Sequence, residues 1–169
     1  MLADTEVEIV YVALLNTLHY EWTVKALNAG KHVLCEKPLV STAEQAKRMF
    51  ATAEQNRVYL MEAFAYQHSP YISEVRNEIR KGIIGKIRYM ESAYLTSDYE
   101  KSNIRMRKEM LGDCTYELGV YNTSLLLRMM GEKPVRISAV GSFSEEGIDK
   151  LTSVIMEYAD GKKQILFAE

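Results

Sequence analysis

The chain has 169 residues, with 21 Lys plus Arg against 23 Asp plus Glu, a formal charge of −2, and 47% hydrophobic residues. That balance gives no broad basic field for nucleic acid or an anionic membrane, and the hydrophobic share suits a packed core and excludes a disordered chain. No apolar run approaches the roughly 18 residues of a membrane span, the acidic start Met1–Glu8 lacks a signal-peptide layout, and two cysteines, Cys35 and Cys114, cannot build a disulfide framework, so the expectation is a soluble, cytoplasmic α/β protein.

Val7–Leu14 (VEIVYVAL) is a short, nearly continuous apolar run, the pattern of a strand buried on both faces in a parallel sheet. His19–Ala29 reads as a helix with Trp22, Ala26 and Ala29 on one face and Gly30 as its C-cap. His32–Cys35 is a second buried strand that ends at Glu36-Lys37-Pro38, where proline stops the ladder. Ser41 with Glu44 reads as a capping box, opening a helix with Ala43, Ala46, Phe50 and Ala53 on one face. Val58–Ala65 is a third strand. Strand, helix, strand, helix, strand predicts part of a doubly wound, Rossmann-like parallel sheet.

The pattern changes after Tyr66. Ser69-Pro70 reads as N-cap and N1 of a helix that turns Ile72, Val75 and Ile79 inward and ends at Gly82. Ile87–Leu95 is a strand, Thr96–Leu111 a polar loop, and Thr115–Met130 a long helix stopped by Gly131 and Pro134. Three strands follow, at Val135–Phe143, Leu151–Tyr158 and Gln164 to the end, with Asp160-Gly161 as a hairpin turn. The division is thus 1–66, half of a nucleotide-binding domain, and 67–169, an incomplete α+β domain with a mostly antiparallel sheet for substrate and oligomerisation. Both ends fall near strand margins, which leaves sheet edges to be covered and suggests a fragment.

Two constellations could carry chemistry. Glu36 and Lys37 lie at the carboxyl end of a parallel strand, where ligands bind in open α/β sheets. A desolvated amine there can exchange protons near neutrality; the alternative is a solvated pair ahead of a turn. Glu117, Tyr121 and Ser124, at i, i+4 and i+7, form one polar stripe on the predicted long helix, with Leu118, Leu125 and Met129 on another. A carboxylate one turn from a phenol is an acid/base layout; the alternative is a core tyrosine with its hydroxyl satisfied. His19, His32 and His68 show no metal-site spacing with either cysteine. No G-x-G occurs, so G-x-G-x-x-G is absent, as is any G-x-x-x-x-G-K-[ST] loop.

From KHVLCEKP at Lys31–Pro38 onward, the sequence resembles the Gfo/Idh/MocA family of NAD(P)-dependent oxidoreductases. The resemblance continues in NTLH at Asn16–His19, MEAFAYQHSP at Met61–Pro70, Asn103-Ile104-Arg105, and LGDCTYELGVY at Leu111–Tyr121. The last two are similar to the N-I-R and G-G-G-x-x-x-D-x-G-x-[HY] stretches of the glucose-fructose oxidoreductase and dihydrodiol dehydrogenase branch. The resemblance implies that Lys37 sits beside the nicotinamide and hydrogen-bonds the reacting oxygen, and that Tyr121 exchanges the proton. It places Glu36 near the nicotinamide ribose, Asn16 and His19 by the cofactor, and Glu117 and Arg105 at the substrate. It also implies a cis Lys37–Pro38 peptide. Leu14-Leu15 replaces the usual Thr-Pro, Leu111 and Asp113 replace the outer members of the triple glycine, and Glu117 stands where relatives carry Asp. Family members are about twice as long and begin with the glycine-fingerprint βαβ unit, so this chain resembles a central slice.

The expected function is hydride transfer with NAD or NADP, interconverting a hydroxyl and a carbonyl on a sugar, cyclitol or related small alcohol. The expected partners are that substrate and a second copy bound through the open sheet, with no nucleic acid, membrane or metal. The alternatives are a non-catalytic binding or regulatory protein, or an inactive truncated product, on the same scaffold.

Overall fold

The computed structural model describes residues 1–97, 100 and 102–169, which divide into two compact units. The first comprises Met1–Phe64 with Glu109–Leu111. Its strands β1 (Ile9–Val12), β2 (His32–Cys35) and β3 (Leu60–Glu62) form a parallel sheet in that order, with Tyr11, Leu34 and Met61 in one row. Helices α1 (His19–Asn28) and α2 (Ala43–Gln55) supply Ala26, Leu27, Met49 and Ala53 to a core with Val10, Val12, Val33 and Cys35.

The expected burial on both strand faces gives way to alternation. Val10 and Val12 are buried, whereas Ile9, Tyr11 and Met61 are exposed, because α1 and α2 pack on the same face of the sheet. The helix faces also differ from the sequence pattern. In α1 the buried side is His19, Thr23, Ala26 and Leu27, leaving Trp22 exposed under the Lys25 ammonium at 4.4 Å. In α2 Met49 is buried and Phe50 exposed. The α2 cap is Thr42, whose Oγ1 accepts from the Gln45 amide at 3.2 Å, and Ser41 Oγ instead donates to Gln45 Oε1.

The second unit comprises Ala65–Lys108 and Gly112–Glu169. It contains α3 (Pro70–Arg80), β4 (Tyr89–Tyr94), α4 (Val120–Met130), β5 (Arg136–Phe143), β6 (Asp149–Glu157) and β7 (Lys163–Ala168). The four-stranded sheet runs β4-β7-β6-β5, antiparallel except for the parallel β4–β7 pair. Ser69 caps α3 with Pro70 at N1, and Ile72, Val75 and Ile79 are half-buried. The predicted 96–111 loop contains 3-10 turns at Ile104–Met106 and Lys108–Met110; its positions Asp98, Tyr99 and Lys101 lie outside the described residues.

Helix α4 is keyed to one face of the sheet through Leu126, which packs on Met156, Tyr158 and Leu166. Two buried amides lock its rotation. Asn122 accepts from Ser92 Oγ at 2.7 Å and donates to the Phe167 carbonyl at 2.7 Å, and Gln164 Nε2 donates to the Leu126 carbonyl at 2.9 Å. Such bonds specify one register where an apolar contact would permit several. The opposite sheet face leaves Val140, Leu151 and Ile155 exposed.

The predicted Thr115–Met130 helix is two elements. Thr115–Gly119 is a π-turn, and the α-helix begins only at Val120. The i, i+4 relation between Glu117 and Tyr121 therefore crosses a change of helical pitch, because i→i+5 closure puts one extra residue in the turn.

Candidate active site

In the first unit, β2 delivers Glu36 and Lys37 at its carboxyl end, and the Lys37–Pro38 peptide is cis. Three neighbours hold this loop. Tyr11 OH donates to Glu36 Oε1, whose other oxygen receives the Lys37 amide at 3.2 Å. The Leu39 amide donates to Glu62 Oε1 at 2.8 Å, from the end of β3. His19 is wholly buried, with Nδ1 at 2.8 Å from the Pro38 carbonyl and Nε2 at 3.0 Å from that of Leu14. The ring thus staples the end of β1 to the turn after Lys37. Burial pushes the Glu62 carboxyl up, and the Leu39 amide partly offsets this.

Asn16, in the 3-10 turn Asn16–Leu18, donates to the Leu111 carbonyl at 3.5 Å and lines a cavity of about 170 Å³ with Tyr20, Val40 and Leu111. Asn16, Glu36 and Lys37 therefore follow the carboxyl ends of adjacent parallel strands. Their amide, carboxylate and ammonium suit the carboxamide and ribose hydroxyls at the nicotinamide end of a dinucleotide. The sequence contains no G-x-G-x-x-G motif of the kind that cradles its pyrophosphate.

In the second unit, Arg105 and Glu117 come together, with Nε donating to Oε2 at 3.2 Å. Glu117 is buried. Gly112 makes this approach possible, because a Cβ there would meet the Arg105 carbonyl oxygen at 2.4 Å. The pair lines a cavity of about 300 Å³ with Thr96, Asp113, Asp149 and Lys150. Burial, with the Asp149 and Glu117 charges adding to it, pushes Asp113 up to about 6 although the Tyr116 amide donates to it. Tyr121, in the first turn of α4, has its ring 5.7 Å from that of Tyr94 and 6.4 Å from that of Tyr66. Ser124 Oγ accepts from Tyr66 OH and Gln67 Nε2, each at 2.8 Å, so its hydroxyl holds the ring that flanks Tyr121.

Sequence reasoning passed over Glu62, Asp113 and Asp149. Glu62 carried the signal that singled out Glu36, an acid at the end of an apolar strand run. Asp149 carried none, since Cys114 and Thr115, 35 and 34 residues away, supply most of its donors, whereas Asp113 takes its amide donor locally from Tyr116. Both cysteines are inert core groups, burial pushing Cys35 up to about 11 and Cys114 up to about 12. Among the described residues no group of three His, Cys, Asp or Glu is placed to hold a metal ion, and no helix is long and apolar enough to cross a membrane.

The family model for the oxidoreductase family with an NAD-binding Rossmann fold (GFO_IDH_MocA) matches residues 1–64, and that for the GFO/IDH/MocA C-terminal domain matches residues 72–168. The chain is 31% identical over 166 residues to the trans-1,2-dihydrobenzene-1,2-diol dehydrogenase of Xenopus laevis, covering 98% of this chain and 50% of that protein. It is 38% identical over 121 residues to the dTDP-3,4-didehydro-2,6-dideoxy-alpha-D-glucose 3-reductase of Actinomadura kijaniata, covering 72% of this chain and 36% of that protein. A solved 3-ketoreductase from Actinomadura kijaniata, in complex with NADP and TDP-benzene, matches with a TM-score of 0.86 at 30% identity, covering 98% of this chain and 51% of that one. The chain spans about half the length or less of the curated relatives it matches. The parallel sheet falls within the first matched segment and the mixed sheet within the second, so the chain belongs to the Gfo/Idh/MocA oxidoreductase family.

Proposed function

We propose that the protein interconverts a hydroxyl and a carbonyl on a sugar, cyclitol or related small alcohol, as an NAD- or NADP-dependent oxidoreductase. The observation that carries this reading is Glu36-Lys37 at the carboxyl end of the middle strand of a parallel sheet, in a loop fixed by His19 and Glu62. The relatives' names, a diol dehydrogenase and a sugar 3-reductase, support the substrate class.

A bound nicotinamide dinucleotide supplies or accepts the hydride. Lys37 Nζ donates a hydrogen bond to the reacting oxygen and stabilises negative charge there. Tyr121 as the phenolate takes the proton from a hydroxyl being oxidised, and as the phenol gives its proton to the oxygen of a carbonyl being reduced. Glu36 accepts from a ribose hydroxyl, and Asn16 flanks the same strand ends. His19 acts indirectly, by fixing the loop. Arg105 and Glu117 offer a donor and acceptors to the hydroxyls of a polyol. Residues 1–66 accordingly serve the cofactor and 67–169 the substrate. The protein works in the cytoplasm, a reading supported by its two buried, unpaired thiols, and associates as a homo-oligomer through the open sheet face bearing Val140, Leu151 and Ile155.

The test is turnover on a panel of sugars, cyclitols and diols with both cofactors, for the wild type and Lys37→Ala. The expected result is activity that Lys37→Ala lowers about 10³-fold with an unchanged melting temperature. Equal kcat in the two proteins overturns the role of Lys37. Folded wild type without turnover or cofactor binding favours a non-catalytic binding protein.

A further inference from the structure

The carboxylate of Asp149 accepts five hydrogen bonds, and the chemistry above leaves it without a task. It is buried at the start of β6, behind a turn in which Gly147 adopts φ of 77° and the Ser144 amide donates to the Ile148 carbonyl at 2.8 Å. Its Oδ1 accepts from the Cys114 amide at 3.2 Å. Its Oδ2 accepts from the Thr115 amide at 3.1 Å, Cys114 Sγ at 3.2 Å, Thr152 Oγ1 at 2.8 Å and Thr115 Oγ1. Four of these five donors belong to the two residues that open the π-turn, and the two amides among them are helix-start donors with no partner inside the helix. An anion at a helix start is also favoured by the helix dipole. Burial pushes the Asp149 carboxyl up, but the hydroxyl, thiol and amide donors outweigh it and leave the group below the usual carboxylate range.

Glu117 sits in the middle of that π-turn. If the turn relaxed to α-helical closure, one residue would leave it, and the part before it would rotate by about 100° relative to the part after it. Tyr121 would stay, because Asn122 ties its end of α4 to Ser92 and Phe167. Glu117 would swing away from Arg105. We propose that Asp149 is a positioning residue, which holds the start of the π-turn from β6 and thereby keeps Glu117 against Arg105 and facing the substrate cavity. The proposal rests on the reading of Arg105 and Glu117 as substrate contacts.

The decisive variant is Asp149→Asn, which loses the negative charge and, in either orientation of the amide, places an NH2 that cannot accept at one of the two carboxylate oxygen positions. Tyr158→Phe is the control, since it removes a buried hydrogen bond to Gln164 in the neighbouring core cluster of the second unit without touching Cys114–Tyr121. Amide hydrogen exchange is measured on both variants, and kcat/KM on Asp149→Asn, Glu117→Gln and the double variant. The expected result is at least tenfold faster exchange across residues 114–121 in Asp149→Asn alone. It comes with at least a tenfold loss of kcat/KM in the wild-type background and less than a threefold further loss in the Glu117→Gln background. Exchange at 114–121 that stays unchanged, or that rises equally in Tyr158→Phe, overturns the proposal, as do losses that multiply in full in the double variant. Wild type with no turnover on any substrate contradicts the proposed function instead. Exchange then decides on its own whether Asp149 holds the turn.

Discussion

The loop after β2 and the turn before α4 present their functional side chains by different means. At Glu36-Lys37 the work is done close to the strand ends: Glu36 and Glu62 accept amides of Lys37 and Leu39, and His19 lies between two carbonyls. Strand order and the helix start that follows β1 bring these groups together, so the loop is a consequence of the parallel sheet and its first crossover. At Thr115–Gly119 the geometry comes from elsewhere in the chain, through the Asp149 carboxylate and through a backbone approach that Gly112 alone permits. A site built on sheet topology tolerates changes at its flanks, whereas one built on a buried polar group and a glycine contact depends on single residues.

Four substitutions probe that contrast. Tyr121→Phe lowers kcat about 10²-fold with KM and melting temperature little changed, since it removes only the exchangeable proton; steady-state kinetics read it. Gly112→Ala costs about 3 kcal/mol in urea unfolding, because the atom met by the new Cβ is a backbone oxygen that cannot move aside, and it separates Arg105 from Glu117. His19→Ala costs about 2 kcal/mol, because it removes a wholly buried ring and the N–H that one of the flanking carbonyls accepts, and the same unfolding measurement checks it. A larger loss for His19→Ala than for Gly112→Ala would reverse the contrast. The smallest effect is that of Asp113→Asn. The Asp113 carboxyl titrates near 6 in the folded protein, above its ordinary value, so the folded state holds that proton more tightly than the unfolded one. Its contribution to stability is present below about pH 4 and is lost as pH rises through about 6. Melting temperatures between pH 4 and 7 should show Asp113→Asn gaining on the wild type as pH rises.

The same contrast explains what the sequence made legible. The strands β1, β2 and β3 stand out because each is a short apolar run ended by punctuation, and the Glu36-Lys37-Pro38 triplet marks its own place. The pairing of Arg105 with Glu117 was anticipated only in that both were assigned to substrate. The π-turn was hidden, because Thr115–Met130 has the periodicity of one continuous helix, and the carboxylate that holds the extra residue lies 34 positions beyond Thr115. On α1 and α2 the sequence pattern gives Ala26 and Ala53 their buried places, but Trp22 and Phe50, large enough to look like core, face outward and Thr23 and Met49 are buried instead. Burial on both sides of β1 was over-read from apolar content, which does not show on which face helices pack.

The most direct test is a fluorescence titration of the protein with NADH and with NADPH, using Lys37→Ala as the comparison and melting temperature as the check on folding. The prediction is saturable binding of at least one cofactor by the wild type, weakened at least tenfold in a fully folded Lys37→Ala. Equal binding by the two proteins would contradict the placement of Lys37 beside the nicotinamide, and no binding of either cofactor by folded wild type would contradict the proposed oxidoreductase activity.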